Sequence, residues 1–283
     1  MISASDYDFL SRFLKIKSGL ALSKDKQYLI ESRLDPVLQK FGLPDMSRLV
    51  AQLRDAPPAP LVEAVVNAMT TNESLFFRDK SPFELLTATI LPDLCRRRPA
   101  GQPLRIWCAA ASTGQEPYSI AMLLQENARL LGGRKVEIIA TDLSTEVIAR
   151  AQQGIYNQFE VQRGLPVQYL LRYFKKNGEL WQVSDDIRAM VRFSNLNLLQ
   201  PFSHLGMFDI VFCRNVLIYF DIPTKAEILS RVAKVLTKDG YLILGGAETV
   251  LGISSDFVAG PQRGYYIQAA AGAAAPVAFR AAE

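Results

Sequence analysis

The stretch Leu104–Glu116, LRIWCAAASTGQE, decides how the chain is to be read. A short apolar run passes into three alanines, a Ser-Thr-Gly turn and a helical pattern that continues from about Glu116 to Leu131. Strand, tight loop and helix in that order make one βα unit. Small side chains let a ligand approach the loop backbone, and a helix start offers unpaired N–H groups. The alternation then repeats. KVEIIATD (135–142), VRFSNLNLL (191–199), FDIVFCRNVLIYF (208–220) and GYLILGGAE (240–248) each hold a strand-like run. Between them STEVIARAQQ and PTKAEILSRVAKVLTKDG read as helices, the latter from Pro223 to a stop at Gly240. Strands alternating with helices predict an α/β fold with a mostly parallel, Rossmann-like sheet. FVAGPQRGYYIQ reads as a turn into a last, antiparallel strand. Asn177-Gly178 is a hairpin signal that predicts a small antiparallel β-insert at about 173–190.

Upstream the texture is helical. Phe9, Phe13, Leu14, then Tyr28, Leu29, Leu34, Val37, Leu38 and Phe41 recur at near-helical spacing, punctuated by Gly19 and Gly42. Asp35-Pro36 is expected to interrupt the second helix, and DAPPAP (55–60) to act as a breaker and linker before the helix LVEAVVNAM. The expected organisation is an all-helical domain at 1–70, a ligand-binding α/β domain at 71–270 and a low-complexity, disordered tail at 271–283.

Bulk properties narrow the function classes. The 283 residues are 49% hydrophobic and 21% charged, with a net charge of +4. That balance describes a globular protein, permits an acidic partner surface and gives no reason to expect nucleic acid. No apolar run reaches the ~20 residues of a membrane span, so no membrane insertion is expected. Asp6 and Asp8 stand where a signal peptide carries positive charge, which reads as a cytoplasmic protein. Cys95, Cys108, Cys213 and the single His204 fit no metal spacing, and no metal is expected.

In an open parallel sheet, ligands sit beyond the carboxyl ends of the strands. The residues there are AAASTGQE, Asp142, the pair Asn197 and Leu198, and the pair Arg214 and Asn215. The loop has only Gly114 of a dinucleotide fingerprint, and Gln115 where a phosphate-binding loop has lysine. A ligand without a diphosphate explains both departures. Asp142 at a strand end suits a ribose diol, and Glu116 suits an ammonium or sulfonium while repelling phosphate. A nucleoside without pyrophosphate on this sheet points to S-adenosylmethionine. An apolar floor under polar groups, TTNESLFFRD (70–79), reads as another wall of the same crevice.

Together TTNESLFFRD, IWCAAASTGQEPYSIAM (106–122) and FCRNVLIYFD (212–221) resemble the chemotaxis receptor methyltransferases of the CheR type, over about Asp6 to Gln268. The resemblance implies a class I methyltransferase fold and transfer of a methyl group from S-adenosylmethionine to the γ-carboxyl of glutamates on the cytoplasmic helical bundle of chemoreceptors, leaving S-adenosylhomocysteine. It implies cofactor contacts at Asn72, Ser74, Arg78, Ala109, Gly114, Glu116, Asp142, Asn197, Leu198, Arg214 and Asn215, and catalytic roles for Arg78 and Tyr219. Relatives often have threonine at Ser74, and Gly or Cys among the small residues where Ala110 and Ala111 stand. Lys26, Arg33 and Lys40, at heptad spacing, and Lys24 would form a basic face toward the glutamate-rich receptor. Some members dock a receptor C-terminal peptide on the β-insert; the short loop KKNGELWQ argues that this chain does not require one. The competing readings are an NAD-dependent oxidoreductase, a non-catalytic adenosylmethionine-binding module, and a methyltransferase of another substrate.

Overall fold

The structure, a computed structural model, describes residues 2–261 and 264–269, with the side chain of Lys24 excepted. The disorder expected of 271–283 lies outside the described residues. Four helices open the chain: α1 Ala4–Ser18, α2 Gln27–Phe41, α3 Met46–Arg54 and α4 Ala59–Met69. Ser3 caps α1 by accepting from the Asp6 N–H, Asp45 caps α3 from Arg48, and Gly19 and Gly42 end α1 and α2 in the left-handed conformation. Their apolar stripes meet in a core that includes Leu10, Leu14, Ile30, Leu34, Leu49, Leu61 and Val65.

One expectation for this region is corrected. Helix α2 runs through Pro36 without interruption. Pro36 and Ser32, whose carbonyl loses its partner, both lie on the exposed face, where the lost bond costs least, while Ile30, Leu34, Val37 and Leu38 stay buried. DAPPAP joins α3 to α4 inside the helical region, because Pro60 occupies the first turn of α4, where no N–H is needed.

Among the described residues the remainder carries ten strands: β1 Leu104–Cys108, β2 Val136–Asp142, β3 Ile155–Asn157, β4 Phe174–Asn177, β5 Leu180–Val183, β6 Val191–Asn195, β7 Phe208–Cys213, β8 Leu236–Leu244, β9 Phe257–Ala259 and β10 Tyr266–Gln268. Seven form the main sheet in the order β6-β2-β1-β7-β8-β10-β9. Pairings from β6 to β8 are parallel, and β10 is antiparallel to both neighbours. This is the expected Rossmann-like sheet with its reversed C-terminal strand. Alternation puts Ile106 and Cys108 of β1 into one face core and Trp107 into the other, where it packs on Phe202 and Phe208 at 4.8 and 5.5 Å. Strand order reverses at β1, between β2 and β7, so a ligand crevice opens at their carboxyl ends.

Three details differ from expectation. The β-insert has three strands in the order β3-β5-β4. The Asn177-Gly178 hairpin is present, but β3 joins from just after the helix Thr145–Gln153, too short a run to show a period. The helix from Ile222 ends at Val235, not Gly240, and β8 begins at once. Register jumps from Phe208–Leu236 to Ile210–Tyr241, and the intervening Asp239 is held by Arg97 and Arg98 at 2.6 Å each. Lastly, FVAG contributes the strand β9. Among the described residues no helix is long and apolar enough to cross a membrane.

Candidate active site

The crevice is lined from both parts of the chain. Ser18 ends α1 and Leu20 follows it, Met69 ends α4 and Thr70 and Thr71 follow, and Asn72, Ser74 and Arg78 continue the wall. Ala109, Ala110, Ser112 and Glu116 come from the loop and helix after β1, Asp142 ends β2, Leu196–Leu198 follow β6, and Arg214, Asn215 and Tyr219 follow β7. All of the expected site residues except Gly114 therefore meet in one place. Gly114 lies behind the loop, at φ 96°, where an added Cβ would stand 3.1 Å from the Tyr156 hydroxyl and from Ala151. It shapes the loop that lines the crevice.

Asp142 is held for its task. Its Oδ2 accepts from the Ser112 N–H at 2.8 Å and its Oδ1 from the Ser144 N–H at 3.0 Å. A carboxylate has about four lone-pair sites, and the Leu143 N–H takes a third, so Asp142 keeps capacity to accept from a ribose hydroxyl. Burial pushes the Asp142 carboxyl above the usual aspartate range, against the N–H bonds from Ser144, Ser112 and Leu143 that pull it down.

The Arg214 guanidinium is buried, its side chain 1% exposed, and organises the next part. It donates to Glu116 Oε2 at 2.6 Å, to Asp79 Oδ2 at 2.8 Å and to the Arg78 carbonyl at 3.0 Å. Glu116 is thus committed to Arg214 through one oxygen and is not the free carboxylate the sequence suggests; burial raises its pKa and Arg214 lowers it. Arg78 forms no pair with Asp79. Its guanidinium makes one long bond, 3.4 Å to the Glu73 carbonyl, among the described residues. It is free to take a carboxylate.

The segment around Arg78 is fixed by its phenylalanines. Phe76 packs edge-on against Tyr156 and Phe174 at 5.0 and 5.6 Å, and Phe77 packs edge-on against Phe83 at 5.3 Å and tilted against Tyr169 at 5.4 Å. Phe77, Asp79 and Lys80, with Ser112 and Asn215 across the crevice, have φ between 46° and 67°. Left-handed conformations in non-glycine residues cost of order 1–3 kcal/mol each and concentrate at functional sites.

Two of the expected residues also make bonds within the chain. Asn197 spends its amide on the Lys17 carbonyl at 2.7 Å, tying α1 to the sheet. Arg33 does not join a receptor-facing row: it donates to the Met69 and Thr70 carbonyls at 2.8 and 3.1 Å and to Thr71 Oγ1 at 2.9 Å. Sequence reading missed Ser112, whose hydroxyl donates to the Asn72 carbonyl at 2.9 Å, and Glu248, which follows β8 as Asp142 ends β2. The strand-end rule used for Asp142 points to Glu248 equally. Among the described residues no three His, Cys, Asp or Glu side chains are placed to hold a metal.

The family model described as CheR methyltransferase, SAM binding domain, matches residues 72–264, and the one described as CheR methyltransferase, all-alpha domain, matches residues 5–70. Chemotaxis protein methyltransferase Cher2 of Pseudomonas putida is 43% identical over 256 residues, covering 89% of this chain and 93% of that relative. Chemotaxis protein methyltransferase 1 of Pseudomonas aeruginosa is 44% identical, covering 87% and 90%. That of Vibrio parahaemolyticus is 39% identical, covering 90% and 93%. The chain belongs to the CheR methyltransferase family, an S-adenosylmethionine-dependent methyltransferase on a Rossmann-like sheet with an all-helical domain before it.

Proposed function

We propose that the chain transfers the methyl group of S-adenosylmethionine to the γ-carboxyl of particular glutamates on the cytoplasmic helical bundle of chemoreceptors. The observation that carries this reading is the crevice itself: an anchored diol acceptor, Asp142, stands in the same cavity as a nearly unpartnered guanidinium, Arg78. The small side chains of Ala109 and Ala110 and the carboxylate pattern at Asp142 fit the adenosyl group. When bound, the cofactor supplies an electrophilic methyl on a sulfonium. A glutamate, with an ordinary pKa of about 4.3, already has its nucleophile ionised at neutral pH and needs no general base. The chain's residues have only to hold and orient. Asp142, Asn215 and Leu198 hold the nucleoside end, Arg78 takes a carboxylate, and Tyr219 at the crevice wall orients the acceptor. With the cofactor bound, transfer to a carboxylate oxygen so held would form the ester C–O bond as the C–S bond breaks, the electron pair staying with sulfur.

The test is incubation with methyl-labelled S-adenosylmethionine and a chemoreceptor cytoplasmic fragment. Label released as methanol by mild base, and mapped to glutamates, supports the reading. Base-stable label, or label on another side chain, overturns it. The β4–β5 hairpin turns through two residues, Gly178 and Glu179, and the same proposal includes independence from a receptor tether peptide. Nanomolar-to-micromolar binding of a receptor C-terminal pentapeptide would contradict that part.

A further inference from the structure

Glu248 lies beyond β8 and accepts four backbone N–H groups: Oε2 takes Asn215 and Gly245 at 2.7 Å each, and Oε1 takes Val216 at 2.9 Å and Leu217 at 2.7 Å. These fill both oxygens. Three of the donors are consecutive residues of the loop after β7, which carries Arg214, Asn215 and Tyr219 into the crevice. Among the described residues those three N–H groups have no other partner. Asn215 at φ 56° opens this loop in a conformation that an asparagine tolerates but does not prefer. Something must hold it there, and four N–H bonds to a charged acceptor, stronger than bonds to a neutral one, do so.

Gly245 gives independent support. A Cβ added there would stand 2.7 Å from Glu248 Oε2, 2.8 Å from Asn215 Nδ2 and 3.0 Å from the Asn215 nitrogen. No side chain fits between β8 and the loop while Glu248 keeps its place.

We infer that Glu248 is a positioning residue for methyl transfer: it sets the segment Asn215–Tyr219 so that Asn215 meets the cofactor and Tyr219 meets the acceptor, and Gly245 leaves the room this requires. The inference rests on the adenosyl-cofactor reading of the crevice. The experiment compares wild type, Glu248→Gln and Gly245→Ala by calorimetric titration with S-adenosylhomocysteine, by kcat and KM for both substrates, and by thermal unfolding. The glutamine keeps the shape but turns an amide N–H₂ toward N–H donors. Loss of one charge-assisted bond at the loop is expected to weaken S-adenosylhomocysteine about tenfold or more, with kcat also reduced, measured well below the melting transition. Gly245→Ala is expected to reproduce the pattern. A lowered melting temperature with native affinity and native kcat makes Glu248 a structural brace only and overturns the inference. Wild-type binding with unchanged variants does so too. Wild-type protein that binds no S-adenosylhomocysteine overturns the cofactor reading, and the inference with it. If the glutamine variant does not fold, Glu248→Asp, which keeps the charge but withdraws it by one methylene, carries the same comparison.

Discussion

Asp142 has to be ionised to accept a diol, yet it is buried enough that its carboxyl titrates above the usual aspartate range. The sign follows from linkage. A raised folded-state pKa gives stability that is fully present below the unfolded value of about 3.9 and is lost as pH rises through the folded value. A ligand that needs the carboxylate pulls the other way. Affinity for S-adenosylhomocysteine is therefore expected to fall on acidification while exposed carboxylates are still ionised. Asp142→Asn should bind weakly throughout and show a flatter pH profile in the same titration, the remaining slope belonging to Glu116, whose pKa is also raised. An unflattened profile would assign the dependence elsewhere. Arg78 permits a sharper division. Arg78→Ala removes a guanidinium with one long internal bond, so thermal stability should change little, within the ~0.5 kcal/mol typical of surface sites. Catalytic efficiency should fall by a hundredfold or thereabouts, on the order of the ~3 kcal/mol of a charge-assisted bond. An unaltered kcat/KM would remove Arg78 from the reaction.

At the scale of elements, α1 docks against the sheet by its last turn and the residues after it. Lys15 pairs with Asp221 at 2.5 Å, the Ala21 N–H donates to the Tyr219 carbonyl at 2.9 Å, and Phe220 leaves no room for a side chain at Gly19. Asp221 also caps the helix Ile222–Val235 by accepting from the Thr224 N–H. Its pKa is pushed down to about 2, first by the hydrogen bond from Lys15 and then by Thr224. A depressed carboxyl stabilises the fold above its unfolded value and loses that contribution as pH falls through the folded one. Asp221→Ala should thus cost about 1 kcal/mol near neutrality, mostly the lost cap. The partly exposed ion pair adds little. Denaturation midpoints of variant and wild type should converge as pH approaches 2, and a constant gap would refute the assignment. Arg33 yields a second contrast: Arg33→Ala should loosen Met69–Thr71 and weaken S-adenosylhomocysteine, whereas Lys26→Ala and Lys40→Ala should leave that affinity unchanged. The sequence conveyed the helices and central strands, because burial imposes a period on runs of this length. It misplaced what depends on distant partners. Pro36 looked like a break because the compensating burial of Leu34 and Val37 is tertiary, and Gly240 looked like a helix stop because the clamp on Asp239 comes from Arg97 and Arg98, far away in the chain. Arg33 looked like one of a basic row because heptad spacing records the face of a helix and not what that face touches.

For the whole molecule, the crevice was legible as a set of strand ends, since parallel topology forces those ends together wherever the strand order reverses. What no pattern announced is that the end of α1 joins the wall begun at Met69. Ser18, Leu20 and Met69–Thr71 line the cavity opposite Asp142 and Asn215, and the cores on either side are joined by Asn197 to Lys17 and Tyr219 to Ala21. A ligand seated there touches both parts, so its binding energy must be withdrawn before either part unfolds. At a concentration of 100 Kd, S-adenosylhomocysteine should add about 2.7 kcal/mol to stability, or roughly 5–10 °C in melting temperature for a protein of this size. The shift should appear as a single displaced transition, and hydrogen exchange should slow at the end of α1 and across 69–80 as well as in the loops after β1, β2 and β7. A helical part that melts in a separate step at a temperature indifferent to the ligand would show that the wall is adjacent to the site without being part of it. Methyl transfer would then be a property of the sheet alone.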